Sequence, residues 1–292
     1  MKRTICFCLM LSLCLLIVFP GFAQQKRSGN RPFKVYAFIP YAGYMQGGTA
    51  VPAKFGQLQD YLATLGIAKY NLIYENRITD YPDGNKTHGV INRSKLDPLA
   101  KLASAEPGVI VALDLEGWNR FDTLHTPAKL LSAIGAFKEI DPAAQVGLYA
   151  TVPQDTYGYP KDTALYNRLN KAYSSVAAAV DYFSPSLYNY KTTDNEEWKK
   201  GVVFNLEACK KYGYPNKKIL PYITPEINVN NERRMLDYSE MMYRLQTLYD
   251  LGADGCLIWG SSGMRDASGN RIIVNENEGW LKAVKDFLKQ HS

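Results

Sequence analysis

Seven apolar runs of strand length alternate with amphipathic helical stretches from residue 34 to the end of this 292-residue chain, and no other feature restricts its fold as tightly. The runs are 34–42 (KVYAFIPYA), 70–76 (YNLIYEN), 108–114 (GVIVALD), 144–152 (AQVGLYATV), 181–188 (DYFSPSLY), 218–226 (KILPYITPE) and 254–260 (DGCLIWG). Helical periodicity falls between them at 54–65, 94–104, 127–139, 163–179, 196–212 and 239–251, with a last helix at 278–290. Local end signals agree: Thr126 precedes Pro127, Asp194 precedes Glu196 and Glu197, and Gly66, Gly213 and Gly252 stand just past helical runs. Strand–helix alternation calls for a parallel sheet, and seven repeats without a break in composition predict an α/β fold, a single TIM-like (β/α) barrel distorted to seven strands, over 34–292. An open doubly wound sheet is the alternative, but no G-x-G-x-x-G or G-x-x-x-x-G-K follows the first strand. The longest stretch without periodicity, 77–93, is rich in Asp, Asn and Gly and predicts a functional lid or a mobile loop.

The start of the chain predicts export. Lys2 and Arg3 precede an apolar run from Ile5 to Phe19, and Gly21 and Ala23 are small residues placed for cleavage before Gln24, so 1–23 reads as a signal peptide and 24–33 as a short polar leader. The run is shorter than the roughly 20 residues of a membrane span, so no stable membrane anchor is expected and the protein is placed in the periplasm or outside the cell. Lipidation at Cys14 is the weaker alternative, because Leu11, Ser12 and Leu13 are a poor approach to such a cysteine. Cleavage removes Cys6, Cys8 and Cys14, leaving Cys209 and Cys256, either paired or as two buried thiols. The formal charge of +6 falls by two with Lys2 and Arg3, a mild excess that favours an anionic substrate without implying nucleic acid. His88, His125 and His291 lack ligand spacing, so neither a metal nor an organic cofactor is expected.

In a barrel of this kind the reacting groups lie at the C-terminal ends of the strands. The third strand ends in VALDLEGW, where the period of two puts Asp114 and Glu116 on one face and Leu113 and Leu115 on the other, toward the helices. Two carboxylates held that close cannot both ionise freely, and one is kept protonated near neutral pH, which suits glycosidic cleavage. On spacing alone, a capping or salt-bridged acidic pair fits equally well. Aromatic residues at other strand ends shift the balance: Tyr149 closes the fourth strand, Tyr188 the fifth and Trp259 the seventh, while Tyr222 and Glu226 share a face of the sixth. Tyr and Trp combine an apolar face with one polar atom, as a sugar ring requires. Glu75 lies at the end of the second strand and Arg77 just past it. A nucleophile elbow is absent, since GSSG at 260–263 lacks its spacing.

At these residues the chain resembles the hyaluronidases of glycoside hydrolase family 56. The likeness is carried by LIYENRITDYPDG (72–84), VALDLEGW (111–118), VGLYATVP (146–153), YFSPSLYNY (182–190) and LGADGCLIWGSS (251–262), in the family's order. The resemblance implies a distorted seven-stranded barrel. It implies Glu116 as general acid and Asp114 as the carboxylate that orients and charge-stabilises the substrate's N-acetyl group, whose oxygen attacks the anomeric carbon in a retaining, substrate-assisted hydrolysis. Tyr149 and Tyr188 then contact the acetamido group and the reacting sugar, and Trp259 shapes the pocket. The family's cysteines are absent, Gln154, Asp155 and Thr156 standing after the fourth-strand segment and 264–270 after the seventh, so its disulfides are missing.

The expectation is therefore an exported glycoside hydrolase cleaving a polysaccharide that contains N-acetylhexosamine, of hyaluronan or chondroitin type. Tyr149, Tyr188, Trp259 and Tyr222 are assigned to substrate binding, with Glu226, Glu75 and Arg77 beside them. Lys54 and Arg265 join Arg77 as candidate lining of a groove for an acidic sugar. Two alternatives stand: a glycosidase for another glycan in which Glu75 or Glu226 is a carboxylate nucleophile paired with Glu116, and a non-catalytic carbohydrate-binding barrel. A polysaccharide lyase is a weaker third.

Overall fold

The computed structural model describes residues 31–189, 193–229 and 232–291. The expected signal peptide, 1–23, and the leader up to residue 30 lie outside the described residues. The fold is mixed α/β. All seven expected strands form, as shorter segments: Lys34–Phe38, Asn71–Tyr74, Val111–Asp114, Val146–Leu148, Tyr182–Phe183, a divided sixth strand of Lys218–Ile219 and Tyr222–Ile223, and Gly255–Trp259. The sixth is interrupted at Leu220 and Pro221, where proline has no N–H for a ladder.

Regular pairing is parallel and falls into separate small sheets. Asn71–Tyr74, Val111–Asp114 and Val146–Leu148 form one, Lys34–Phe38, Gly255–Trp259 and Tyr222–Ile223 another, and Tyr182–Phe183 pairs with Lys218–Ile219. Individual hydrogen bonds link them. Asp181 N–H donates to Val146 O (2.8 Å) and Ala150 N–H to Ser184 O (3.1 Å), while Ala68 N–H donates to Val35 O (2.8 Å) and its own carbonyl accepts from Ala37 N–H (2.9 Å).

Alternation along the strands sorts side chains into two cores. Val35, Ala37, Ile73, Val111, Leu113, Val146, Phe183, Ile223, Cys256 and Ile258 pack against the helices. The other face carries Tyr36, Tyr70, Ile110, Ala112, Tyr182, Leu220, Tyr222 and Leu257. Four tyrosines there require a gap opposite. Gly147 supplies it, since a Cβ at that position would lie 2.3 Å from Cζ of Tyr182.

The helices are Phe55–Thr64, Arg93–Ser104, Thr126–Ile140, Thr163–Ala172, Ser174–Ala179, Asn195–Lys211, Tyr238–Asp250 and Gly279–Gln290. The helix expected over 163–179 is thus two, parted at Tyr173, a fully buried side chain whose hydroxyl donates to Arg120 O (2.9 Å). Two antiparallel hairpins, Gly43–Gln46 with Thr49–Pro52 and Glu226–Val229 with Glu232–Met235, escaped the strand–helix reading. The first turns at Gly47 and Gly48, both at positive φ, the requirement of a tight hairpin turn. Residues 77–93 are an anchored segment where a lid or mobile loop was expected: Thr79–Asp80 pairs with Val90–Ile91, and Trp118 Nε1 donates to Gly89 O at 3.0 Å. Among the described residues no helix is long and apolar enough to cross a membrane. Cys209 and Cys256 are free and buried, and burial raises both thiol pKa values.

Candidate active site

Asp114 ends its strand as the register partner of Tyr74. Leu113 and Leu115 are packed among the helices, which turns Asp114 and Glu116 to the opposite face. Asp114 is half-buried and Glu116 is exposed. Burial first, then the charge and hydrogen bonding of the neighbouring Glu116 carboxyl and the more distant charge of Glu75 raise the Asp114 pKa well above the carboxylate range. The elevated titration falls on the deeper carboxyl, because desolvation adds to repulsion there.

A second carboxylate fixes the backbone beside Glu116. Glu75, buried in a short turn after the second strand, accepts from Gly117 N–H through Oε2 and from the Tyr81 hydroxyl through Oε1 (2.8 Å). Glycine lets the two approach, since a Cβ on residue 117 would lie 2.1 Å from Glu75 Oε1 and force the carboxylate or the loop to shift. Trp118 is buried beneath, so the chain on the far side of Glu116 is anchored at two successive residues.

Aromatic side chains stand over the same strand ends. Trp259 stacks on Tyr188 with ring centroids 6.0 Å apart, and Tyr188 lies 6.0 Å from Tyr149. Trp259 Nε1 donates to the Tyr74 hydroxyl (3.0 Å), and the Tyr149 hydroxyl bonds Ser186 Oγ (3.2 Å). Tyr74 was not singled out in the sequence, although the period of two that places Asp114 also places its register partner. Its phenol pKa is raised, by burial first and also by Asp114, against the opposing Trp259 bond. Tyr149, Tyr188, Trp259 and Tyr74 are all partly exposed, so their ring faces are available to a ligand.

The remaining expected site residues sit differently. Tyr222 is 1% exposed, beneath Tyr149 (4.9 Å, edge to face) and Tyr188, so the substrate contact expected of it is corrected to support of those rings from below. Glu226 is buried, with Oε1 accepting from the Tyr41 hydroxyl (2.7 Å) and Ser261 N–H (2.6 Å), and burial raises its pKa. Glu226 and Glu75 therefore hold loops in place, and neither presents a free carboxylate to substrate. Arg77 is exposed and makes no ion pair among the described residues. Lys54 caps the helix Phe55–Thr64, and the Arg265 guanidinium is turned onto the carbonyls of Ser262 and Met264.

A cleft of about 340 Å³ begins at Glu116 and Tyr149 and runs between the loop that carries Arg120 and Phe121 and the loop that carries Asp155 and Tyr157. A larger cleft, about 640 Å³, lies at Phe183, Ile219 and Asp254, by the starts of the strands and away from the carboxylate pair. Among the described residues no group of three or more His, Cys, Asp or Glu side chains is placed to hold a metal ion.

No family model and no curated protein matches this chain. Solved structures do. Bee venom hyaluronidase is similar with a TM-score of 0.57 and 17% identity over 79% of this chain and 91% of that one. The same enzyme in complex with a hyaluronic acid tetramer gives a TM-score of 0.51 at 18% identity, with the same coverage. The active domain 2 of a chitinase from Pyrococcus furiosus gives a TM-score of 0.52 at 11% identity over 89% of this chain and 88% of that one. At such identities the likeness is one of fold: a mixed α/β fold shared with barrel glycoside hydrolases.

Proposed function

We propose that this chain is an exported glycoside hydrolase that cleaves a polysaccharide containing N-acetylhexosamine by retaining, substrate-assisted hydrolysis. The observation that carries the reading is a strand end that sets Asp114 and Glu116 on one face, beside Tyr149, Tyr188 and Trp259, with burial and the charge of Glu116 raising the Asp114 pKa. Two carboxyls two residues apart on one strand face stand side by side, not on opposite sides of a sugar as a nucleophile–acid pair does. With Glu75 and Glu226 held by other partners, the nucleophile comes from the substrate, and an acetamido oxygen beside the anomeric carbon is a nucleophile of that kind. Glu116 gives its proton to the glycosidic oxygen and later recovers one from the attacking water. Asp114 passes its proton to Glu116 as Glu116 gives one up, and the carboxylate so formed faces the positive charge that develops as the bond breaks and orients the amide. Tyr149, Tyr188 and Trp259 form the wall on which the reacting sugar rests, with Tyr74 behind Trp259.

A single ring of seven strands fits this reading. The bonds at Ala68, Asp181 and Ala150 and the bridge between Ser186 and Tyr222, which run between the small sheets, support it. The fold shared with bee venom hyaluronidase and a chitinase domain supports a sugar polymer as the substrate, and a hyaluronan- or chondroitin-like chain is the member of that class we favour.

The test is product analysis by mass spectrometry after incubating the mature protein with hyaluronan, chondroitin and chitin oligosaccharides. Saturated products with a reducing N-acetylhexosamine are expected. Glu116→Gln should lower turnover by about a thousandfold, within the range for loss of a general acid, and Asp114→Asn nearly as much. Near-native turnover by Glu116→Gln, or cleavage of a glycan without acetamido groups, would overturn the mechanism.

A further inference from the structure

The loop after the fourth strand is built with unusual rigidity for a surface connection. Ala150 and Tyr157, at its two ends, both have φ of 50°, a conformation that side chains other than glycine rarely adopt. Three nearly buried polar residues brace the turn between them. Gln154 N–H donates to Asn170 Oδ1 (2.9 Å) and its Nε2 to Thr151 O (2.8 Å). Asp155 Oδ1 accepts from Tyr157 N–H (2.8 Å), and Thr156 Oγ1 donates to Gly158 O (2.6 Å) while accepting from Asn205 Nδ2 (2.9 Å). The outcome is an aromatic ring held at a fixed place on the rim. Tyr157 is 40% exposed.

The opposite wall of the cleft supports that ring. The Arg120 guanidinium lies 5.1 Å from the Tyr157 ring centroid and 5.1 Å from that of Phe121, and its Nη1 donates to Asp155 O (2.7 Å). Phe121 is 53% exposed. The cleft between these groups, about 340 Å³, lies within the range of small-molecule sites, about 300–1,000 Å³, and opens at Glu116. Its lining includes Tyr149 but not Asp114, Tyr188 or Trp259.

A general acid sits at the oxygen of the bond that breaks, so the sugar that reacts and the sugar that leaves lie on its two sides. We infer that Tyr157, backed by Arg120 and flanked by Phe121, is the platform for the leaving-group sugar. The inference rests on the glycosidase reading above. In the step it serves, the bond between the anomeric carbon and the glycosidic oxygen breaks with its electron pair going to oxygen. Glu116 protonates that oxygen, and the sugar on Tyr157 departs as a neutral alcohol. An aromatic face suits this partner because a hexose ring presents axial C–H groups to it and leaves its hydroxyls to the rim.

The experiment compares the wild-type protein with Tyr157→Gly and Tyr157→Phe. Glycine takes positive φ without strain, so Tyr157→Gly removes the ring while keeping the loop, and an unchanged or higher Tm checks this. Steady-state kinetics are measured on hyaluronan, chondroitin and chitin oligosaccharides and on the para-nitrophenyl glycosides of the same sugars, in which an aryl group replaces the leaving sugar. Tyr157→Gly should lower the ratio of kcat/KM for oligosaccharide over aryl glycoside about tenfold, chiefly through KM, and Tyr157→Phe should restore it. An equal loss on both substrates, or no loss on the oligosaccharide, overturns the platform while the glycosidase reading stands. A wild-type protein that cleaves none of these compounds overturns both.

Discussion

Gly117→Ala tests the arrangement that holds Glu116. The added Cβ would lie 2.1 Å from Glu75 Oε1, 2.8 Å from its Cδ and 2.9 Å from its Oε2, so one partner must move by more than an ångström. Glu75 is 8% exposed and tied to the Tyr81 hydroxyl, so it has little room to retreat. The bond from Gly117 N–H to the Glu75 carboxylate breaks in either case. A hydrogen bond to a charged group contributes about 1.5–3 kcal/mol, and the partly stranded carboxylate adds to the loss. A destabilisation of about 2–3 kcal/mol follows, or roughly 5–10 °C in Tm for a domain of this size. Because residue 117 adjoins Glu116, the acid is displaced as well, and a misplacement of that order costs about a hundredfold in turnover. Thermal unfolding followed by circular dichroism and kcat on the cleaved oligosaccharide measure the two effects. A double-mutant cycle supplies the decisive comparison: if the clash is the cause, Glu75→Ala frees space, and the double variant is more stable than the two single losses added together predict. Strict additivity, or a Gly117→Ala protein with native Tm and turnover, would refute this account of how Glu116 is held.

Gly147→Ala should cost about 1–3 kcal/mol through overpacking against Tyr182, measured by urea denaturation, and a loss within error would mean that the tyrosine layer is loosely packed. The raised Asp114 pKa carries a pH dependence of stability. Folding favours the neutral acid, so this contribution is fully present below the ordinary carboxylate pKa and is lost as pH rises through the elevated folded value. Asp114→Asn has no such proton to lose, and its Tm should gain on the wild type steadily between about pH 4 and about pH 9. A gap that stays constant with pH would show that Asp114 ionises normally in the fold.

Much of the architecture was legible along the chain because it follows from periodicity alone. The alternation of 2.0 and 3.6 repeats located all seven strands and the helices, and the same period put Asp114 and Glu116 opposite Leu113 and Leu115, where the outer core confirms the two leucines. The hairpin at 43–52 was signalled only by Gly47 and Gly48, and that at 226–235 was hidden in a polar run.

What one residue does among its neighbours could not be read this way. Tyr222, Tyr149 and Tyr188 look alike in sequence, each a tyrosine toward the end of a strand. Depth separates them: Tyr222 lies one layer lower and is sealed by the other two. Glu75 and Glu226 read as free acids because their partners, Gly117 and Tyr81 for one and Tyr41 and Ser261 for the other, come from other loops. Tyr157 carried no signal at all, since its placement depends on a positive φ, a braced turn and an arginine from the neighbouring loop. Local pattern specifies which face a side chain takes, being a property of the backbone repeat. Burial and hydrogen-bond partners are properties of segments far apart in sequence, and only the packed chain determines them.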